Sequence, residues 1–137
     1  MLAKLLMTGS TAIFLVLGVI HFAYTFWWPR LAPRDPGLQA MMSNVSPVLT
    51  PETTMWKAWL GFNASHSMGL ILFGLVYGYL ALAHEELLFD SPCLLLVGLA
   101  MVCGFVILAK LFWFSLPFWS LCVALACSVA SIAVSRG

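Results

Sequence analysis

The chain has 137 residues, of which 63% are hydrophobic and only 8% charged, with a mean hydropathy of +1.03. A water-soluble domain carries about 25% charged residues, so this chain has too little polar surface to cover so apolar a core, and lipid is the expected solvent. The net charge of +1, with no basic run, points away from nucleic acid, and the length allows one transmembrane domain over residues 1–137.

The first apolar segment runs from about Leu5 to Trp28, long enough for a hydrocarbon core of about 30 Å. Lys4 followed by an apolar run imitates a secretory signal. The run is too long for one, however, and Trp27-Trp28-Pro29-Arg30 follows where a small-residue cleavage site would be needed. The reading is an uncleaved first membrane helix, ended by Pro29, Pro33 and Pro36.

The connection from Pro29 to Thr50 is the only sizeable polar stretch, and it holds four of the seven prolines. Within it, Gly37 to Val45 can form one short interfacial turn of helix, with Leu38, Met41 and Met42 toward lipid. The second long helix is expected over 51–83, with Thr50 as N-cap, Pro51 at the first helical position and Glu52 in the first turn. That length exceeds a straight crossing, so the helix tilts or projects.

His84-Glu85-Glu86-Leu87-Leu88-Phe89-Asp90 reads as a short acidic connection, with His84, Glu85 and Glu86 in a solvated turn. A third helix over 92–114 follows, capped by Ser91 or Asp90, with Pro92 in its first turn. Ser115-Leu116-Pro117 reads as a tight turn, and a fourth helix covers about 117–135. The expected fold is therefore an all-α integral membrane four-helix bundle with a long proline-rich first loop. All six tryptophans (Trp27, Trp28, Trp56, Trp59, Trp113, Trp119) then fall at the side carrying that loop, as the tryptophan preference for the membrane interface demands.

Orientation follows from Arg30, Arg34, Lys57 and Lys110 on the loop side against Lys4 and Arg136 on the other, which favours the loop side in the cytoplasm. Without Lys57 and Lys110, which can lie inside helices, the count ties. Cys93, Cys103, Cys122 and Cys127 form no CxxC pair and read as small buried hydrophobes. Gly74 and Gly78 make a GxxxG match, and Ala124, Ser128, Ser131 and Ser135 line one side of the fourth helix. Such faces allow close helix approach, within one bundle or in a homodimer.

The candidate site rests on two histidines. His21 lies seven residues before Trp28 and His66 seven after Trp59. On antiparallel helices both imidazoles then sit at one depth, about 10 Å inside the same interface. An ionisable side chain at that depth is a functional-site hypothesis by default. Gly18, His21 and Thr25 share one helix face, and Trp59, Asn63, His66 and Ser67 share another, continued by Leu70, Gly74 and Tyr77. Lys110 lies about one turn inside Trp113, where it can also snorkel to the interface.

The ligand-binding set is thus His21, Thr25, Asn63, His66, Ser67 and Lys110, and three readings stay open. His66 and Asn63 can hydrogen-bond the head group of a lipid or quinone, with His21 exchanging a proton, as histidine does near neutrality. His21 and His66 can be the two axial ligands of a haem b, as in electron-transfer cytochromes, with Gly18 and Gly69 leaving room for the macrocycle. The same polar groups can instead bond each other across helices, in a structural or accessory subunit of a larger membrane complex. Two histidines without a nearby carboxylate or thiolate are too few protein ligands for a divalent metal. No paired repeat or acidic residue within a helix suggests a carrier, and no nucleophile–base series suggests a particular reaction.

The stretch Trp56-Lys57-Ala58-Trp59-Leu60-Gly61-Phe62-Asn63-Ala64-Ser65-His66-Ser67-Met68-Gly69, with Gly18-Val19-Ile20-His21-Phe22, resembles small bacterial membrane proteins of unknown function with four predicted helices. The resemblance implies a four-helix protein of the bacterial inner membrane. It carries over no catalytic residue.

Overall fold

The structure, a computed structural model, describes residues 1–28 and 30–136. These residues form six helices and no strand: α1 (Leu2–Phe26), α2 (Pro36–Asn44), α3 (Met55–Ala83), α4 (Glu85–Asp90), α5 (Pro92–Phe112) and α6 (Ser115–Arg136). Helices α1, α3, α5 and α6 are long and apolar enough to cross a membrane. At 1.5 Å per residue they measure roughly 37, 43, 31 and 33 Å, against about 30 Å of hydrocarbon. A helix keeps its backbone hydrogen bonds within itself, which is what the bilayer interior requires. The chain is accordingly a multi-pass membrane protein by the length and composition of its helices.

The helix ends differ from the sequence reading for local reasons. Helix α1 stops at Phe26, where the Trp27 and Trp28 amides both return to the Ala23 carbonyl, at 2.9 and 3.1 Å. Pro29, expected to help end it, lies outside the described residues. The expected cap of the second long helix is displaced. Thr50 does not cap α3; its hydroxyl accepts from the Glu52 amide at 3.2 Å in a local turn. Thr54 takes the cap instead, its hydroxyl 3.3 Å from the Lys57 amide and its carbonyl accepting from Ala58 at 2.9 Å. Both threonines can serve, and the one adjacent to the uninterrupted helix-forming run prevails.

Asp35 caps α2 by accepting from the Gly37 amide at 2.8 Å, with Pro36 at the first helical position. The acidic connection is the short helix α4 rather than a turn, with His84, Glu85 and Glu86 exposed as expected. Glu85 and Glu86 occupy its positive N-terminal turn, and Leu88 is fully buried, which anchors it. Of the two candidates for α5, Ser91 is the cap, accepting from the Leu94 amide at 3.3 Å. Helix α6 begins at Ser115, so the expected Ser115-Leu116-Pro117 turn is helical. Pro117 fits there because the first turn's amides have no partner within the helix.

The chain divides into two compact units, Gly18–Gly69 and Met1–Leu17 with Leu70–Gly137. In the second, Phe14 is fully buried, with its ring 4.6 Å from Phe73 and 5.5 Å edge-on from Phe105. The GxxxG pair works within this unit. A Cβ on Gly74 would stand 2.9 Å from the Thr11 carbonyl oxygen and the Leu15 amide nitrogen, and one on Gly78 would stand 3.3 Å from the Thr11 hydroxyl. The small-residue side of α6 meets α1: Ser128 and Ser10 hydroxyls are 2.8 Å apart, and Ser131 donates to the Ala3 carbonyl at 2.6 Å. Tyr77 donates to the Leu94 carbonyl at 2.9 Å, and its ring occupies the place a side chain on Gly98 would need. At the other end of α3, Lys4 donates to the Leu82 carbonyl at 2.7 Å, 3.9 Å from Glu85.

Candidate functional site

The unit Gly18–Gly69 holds five of the six expected site residues. His21 on α1 and His66 on α3 bring their rings to 4.9 Å between centroids, inclined at 70°. His21 Nε2 is 2.9 Å from Asn63 Oδ1. The other end of that amide donates from Nδ2 to the Trp59 carbonyl at 2.8 Å. A carbonyl can only accept, so this bond fixes which end of the Asn63 amide is nitrogen. Oδ1 therefore faces the imidazole, and His21 must be the donor at Nε2. In the neutral ring the proton sits on Nε2 and the lone pair on Nδ1.

Thr25 and Ser67 share the expected faces but spend their hydroxyls locally. Thr25 donates to the His21 carbonyl at 2.9 Å and Ser67 to the Asn63 carbonyl at 2.8 Å. Both are buried. This four-residue back-bonding is how an alcohol is satisfied inside a helix. Both hydroxyls are therefore spent on the backbone at His21 and Asn63. Lys110 belongs to the other unit. It is exposed on α5, with its ammonium 5.1 Å from the centre of the Phe118 ring, a cation–π distance.

The sequence reading placed Trp59 on the Asn63 face but missed the rest of the wall of the site. A cleft of ≈ 30 Å³ beside Asn63 and Thr25 is lined by Tyr24, Leu31, Trp56 and Trp59 among others. The Trp59 indole donates to the Leu31 carbonyl at 3.2 Å, tying the loop after α1 to α3. Trp59 lies four residues before Asn63 and Trp56 three before Trp59, so helical spacing carried the signal. Leu31, in an irregular loop, offered none.

The volume sets what the cleft can take. Pockets that enclose a drug-sized ligand measure about 300–1,000 Å³. A cleft of ≈ 30 Å³ accepts a water, a hydroxyl or a carbonyl oxygen. Axial ligation of one haem iron by both histidines would set the macrocycle between the rings. At 4.9 Å and edge to face the rings leave no such gap, and Asn63 already engages His21 Nε2. Among the described residues, no three His, Cys, Asp or Glu side chains converge as metal ligands.

Comparison with protein-family models, with curated proteins and with solved structures returns no match. The geometry of the site is therefore the basis for a functional reading.

Proposed function

We propose that the chain is a non-transporting four-helix bundle of the bacterial inner membrane, whose polar site at His21, Asn63 and His66 receives the head of an apolar ligand. The observation that supports this most is the meeting of two imidazoles and a carboxamide from α1 and α3 in one small region of apolar helices. The adjoining cleft at Thr25 and Asn63 suits one hydroxyl or carbonyl oxygen. Tyr24 and Trp59 at its rim are exposed, so an acyl or isoprenoid tail can lie along the lipid-facing surface. Lipids and quinones meet that description. Asn63, which lines the cleft and is fixed by its bond to Trp59 O, links a head group there to His21.

A second reading has its own support. His21 and Asn63 satisfy each other, and no fully buried side-chain nitrogen or oxygen among the described residues lacks a hydrogen-bond partner. The cluster then serves as a clasp between α1 and α3 in a structural or accessory subunit. Organic extraction and mass spectrometry of the detergent-purified protein separate the two. A stoichiometric lipid or quinone that is lost in His66→Ala, with the variant still folded, supports the ligand site. An empty wild type whose His66→Ala variant only loses thermal stability refutes it in favour of the clasp. An absorption spectrum of the same sample, oxidised and reduced, tests the haem b alternative.

A further inference from the structure

The connection between α1 and α3 carries a second feature. From Pro36 to Pro51 there is no Asp, Glu, Lys, Arg or His; the nearest charges are Arg34 and Asp35 before it and Glu52 after it. A water-facing segment of this length would carry about four charged residues. Instead Leu38, Met41 and Val45 are exposed along one side of α2, and Val48 and Leu49 are almost wholly exposed beyond it.

Val48 and Leu49 are the central residues of a turn closed by the Thr50 amide on the Pro47 carbonyl, at 3.3 Å. Turn centres are ordinarily Gly, Asn, Asp, Ser or Pro. A valine and a leucine there project two apolar side chains from the tip of the loop. The backbone on either side of them is poor in free amides. Pro47 and Pro51 have no N–H, the Thr50 amide is bonded within the turn, and Thr50 Oγ1 accepts from Glu52. The Val48 and Leu49 amides have no backbone partner among the described residues, so the turn backbone stays with water or head-group oxygens while the two side chains reach the acyl chains. Its base is fixed, because the Met55 amide donates to the Val45 carbonyl at 2.8 Å, clasping the loop to the first residue of a helix long enough to cross the membrane. Trp27 and Trp28 near the end of α1 and Trp56 at the start of α3 mark the level of the membrane interface.

We infer that the Pro47–Thr50 turn is a lipid-inserting tip, holding Val48 and Leu49 among the acyl chains of the leaflet beside the start of α3, with α2 lying in the interface on its Leu38 and Met41 side. The occupant of this apolar surface is lipid because the surface continues, through the Val45–Met55 clasp, from a helix already matched to the bilayer. The inference does not depend on what the histidine site binds.

The test uses the full chain in phospholipid vesicles, with its four cysteines replaced by alanine and an environment-sensitive fluorophore attached at Val48→Cys or Ser43→Cys. Ser43 is exposed and lies on the side of α2 away from Leu38 and Met41. The expected result at position 48 is a blue-shifted emission, quenched by lipids spin-labelled on the acyl chain and insensitive to aqueous iodide. Position 43 shows the reverse. Quenching by iodide at position 48 overturns the inference by placing the tip in water. Protection from both quenchers overturns it in favour of a second copy of this chain. Should the cysteine-free protein fail to fold, wild-type protein is photolabelled with a diazirine on the lipid acyl chain. Adducts on Val48 or Leu49 support the inference, and their absence beside labelled α3 residues overturns it.

Discussion

The hydrogen bond from His21 Nε2 to Asn63 Oδ1 gives the sharpest quantitative prediction. Asn63→Leu keeps the number and branching of the side-chain heavy atoms but removes both ends of the amide. The lost interhelical bond, 2.9 Å long between half-buried groups, is worth about 0.6 kcal/mol on average in a bilayer and at most about 1.7. The lost donation to Trp59 O matters less, since the helix already uses that carbonyl. Leaving the imidazole N–H unpaired adds a desolvation penalty of about 1 kcal/mol where water does not reach it. The single variant should therefore lose about 1–2 kcal/mol. The decisive quantity is the coupling in a double-mutant cycle of His21→Leu and Asn63→Leu, read from reversible unfolding in mixed micelles. It should be about 0.6–1.7 kcal/mol, roughly a three- to eighteen-fold change in the unfolding constant. Thr25→Val, which loses only a bond to its own helix, should show no coupling to Asn63. A His21–Asn63 coupling indistinguishable from zero would refute the hydrogen bond, and with it the assignment of the proton to Nε2.

Gly74→Ala should destabilise by about 1–3 kcal/mol, because its Cβ would press on Thr11 and Leu15 backbone at 2.9 Å. Gly69→Ala meets nothing within 4 Å and should be neutral or gain up to about 1 kcal/mol from helix propensity; the same titration ranks the pair. Ser91→Ala should cost about 1 kcal/mol and Ser91→Gly only a few tenths, visible as earlier exchange of the first α5 amides. Tyr77→Phe removes the bond to Leu94 O while the ring stays beside Gly98, and should cost about 0.5–1.5 kcal/mol in thermal or denaturant unfolding.

Much of the fold could be read from apolar run length alone, because a helix that crosses lipid must be long, continuous and uncharged. What could not be read were choices between near-equivalent local signals. Thr50 and Thr54 are both good caps, and only the position of the first continuous helical turn decides for Thr54. The α4 segment looks polar from Glu85 and Glu86, yet burial of Leu88, a tertiary effect, makes it helical. In the site, His21 and His66 were legible as a pair because each lies seven residues from a tryptophan, and Asn63 because it precedes His66 by three residues on the same helix face. Thr25 and Ser67 shared the right faces, but a face does not say whether a hydroxyl points outward or bonds the preceding turn. The Leu31 carbonyl carries no side-chain signature, so its bond to Trp59 was beyond any pattern.

The bonds joining α6 to α1 bear on the timing of assembly. Ser10 and Ser128 are 118 residues apart in sequence, and Ser131 bonds a carbonyl in the first turn of α1. At about 5–20 residues per second of synthesis, roughly 6–24 s pass between the emergence of the two serines. Throughout that interval the Ser10 hydroxyl sits in a newly inserted helix without its final partner, exposed to lipid or to the insertion machinery. Closure of the α1–α6 contact therefore waits for the last helix to be made.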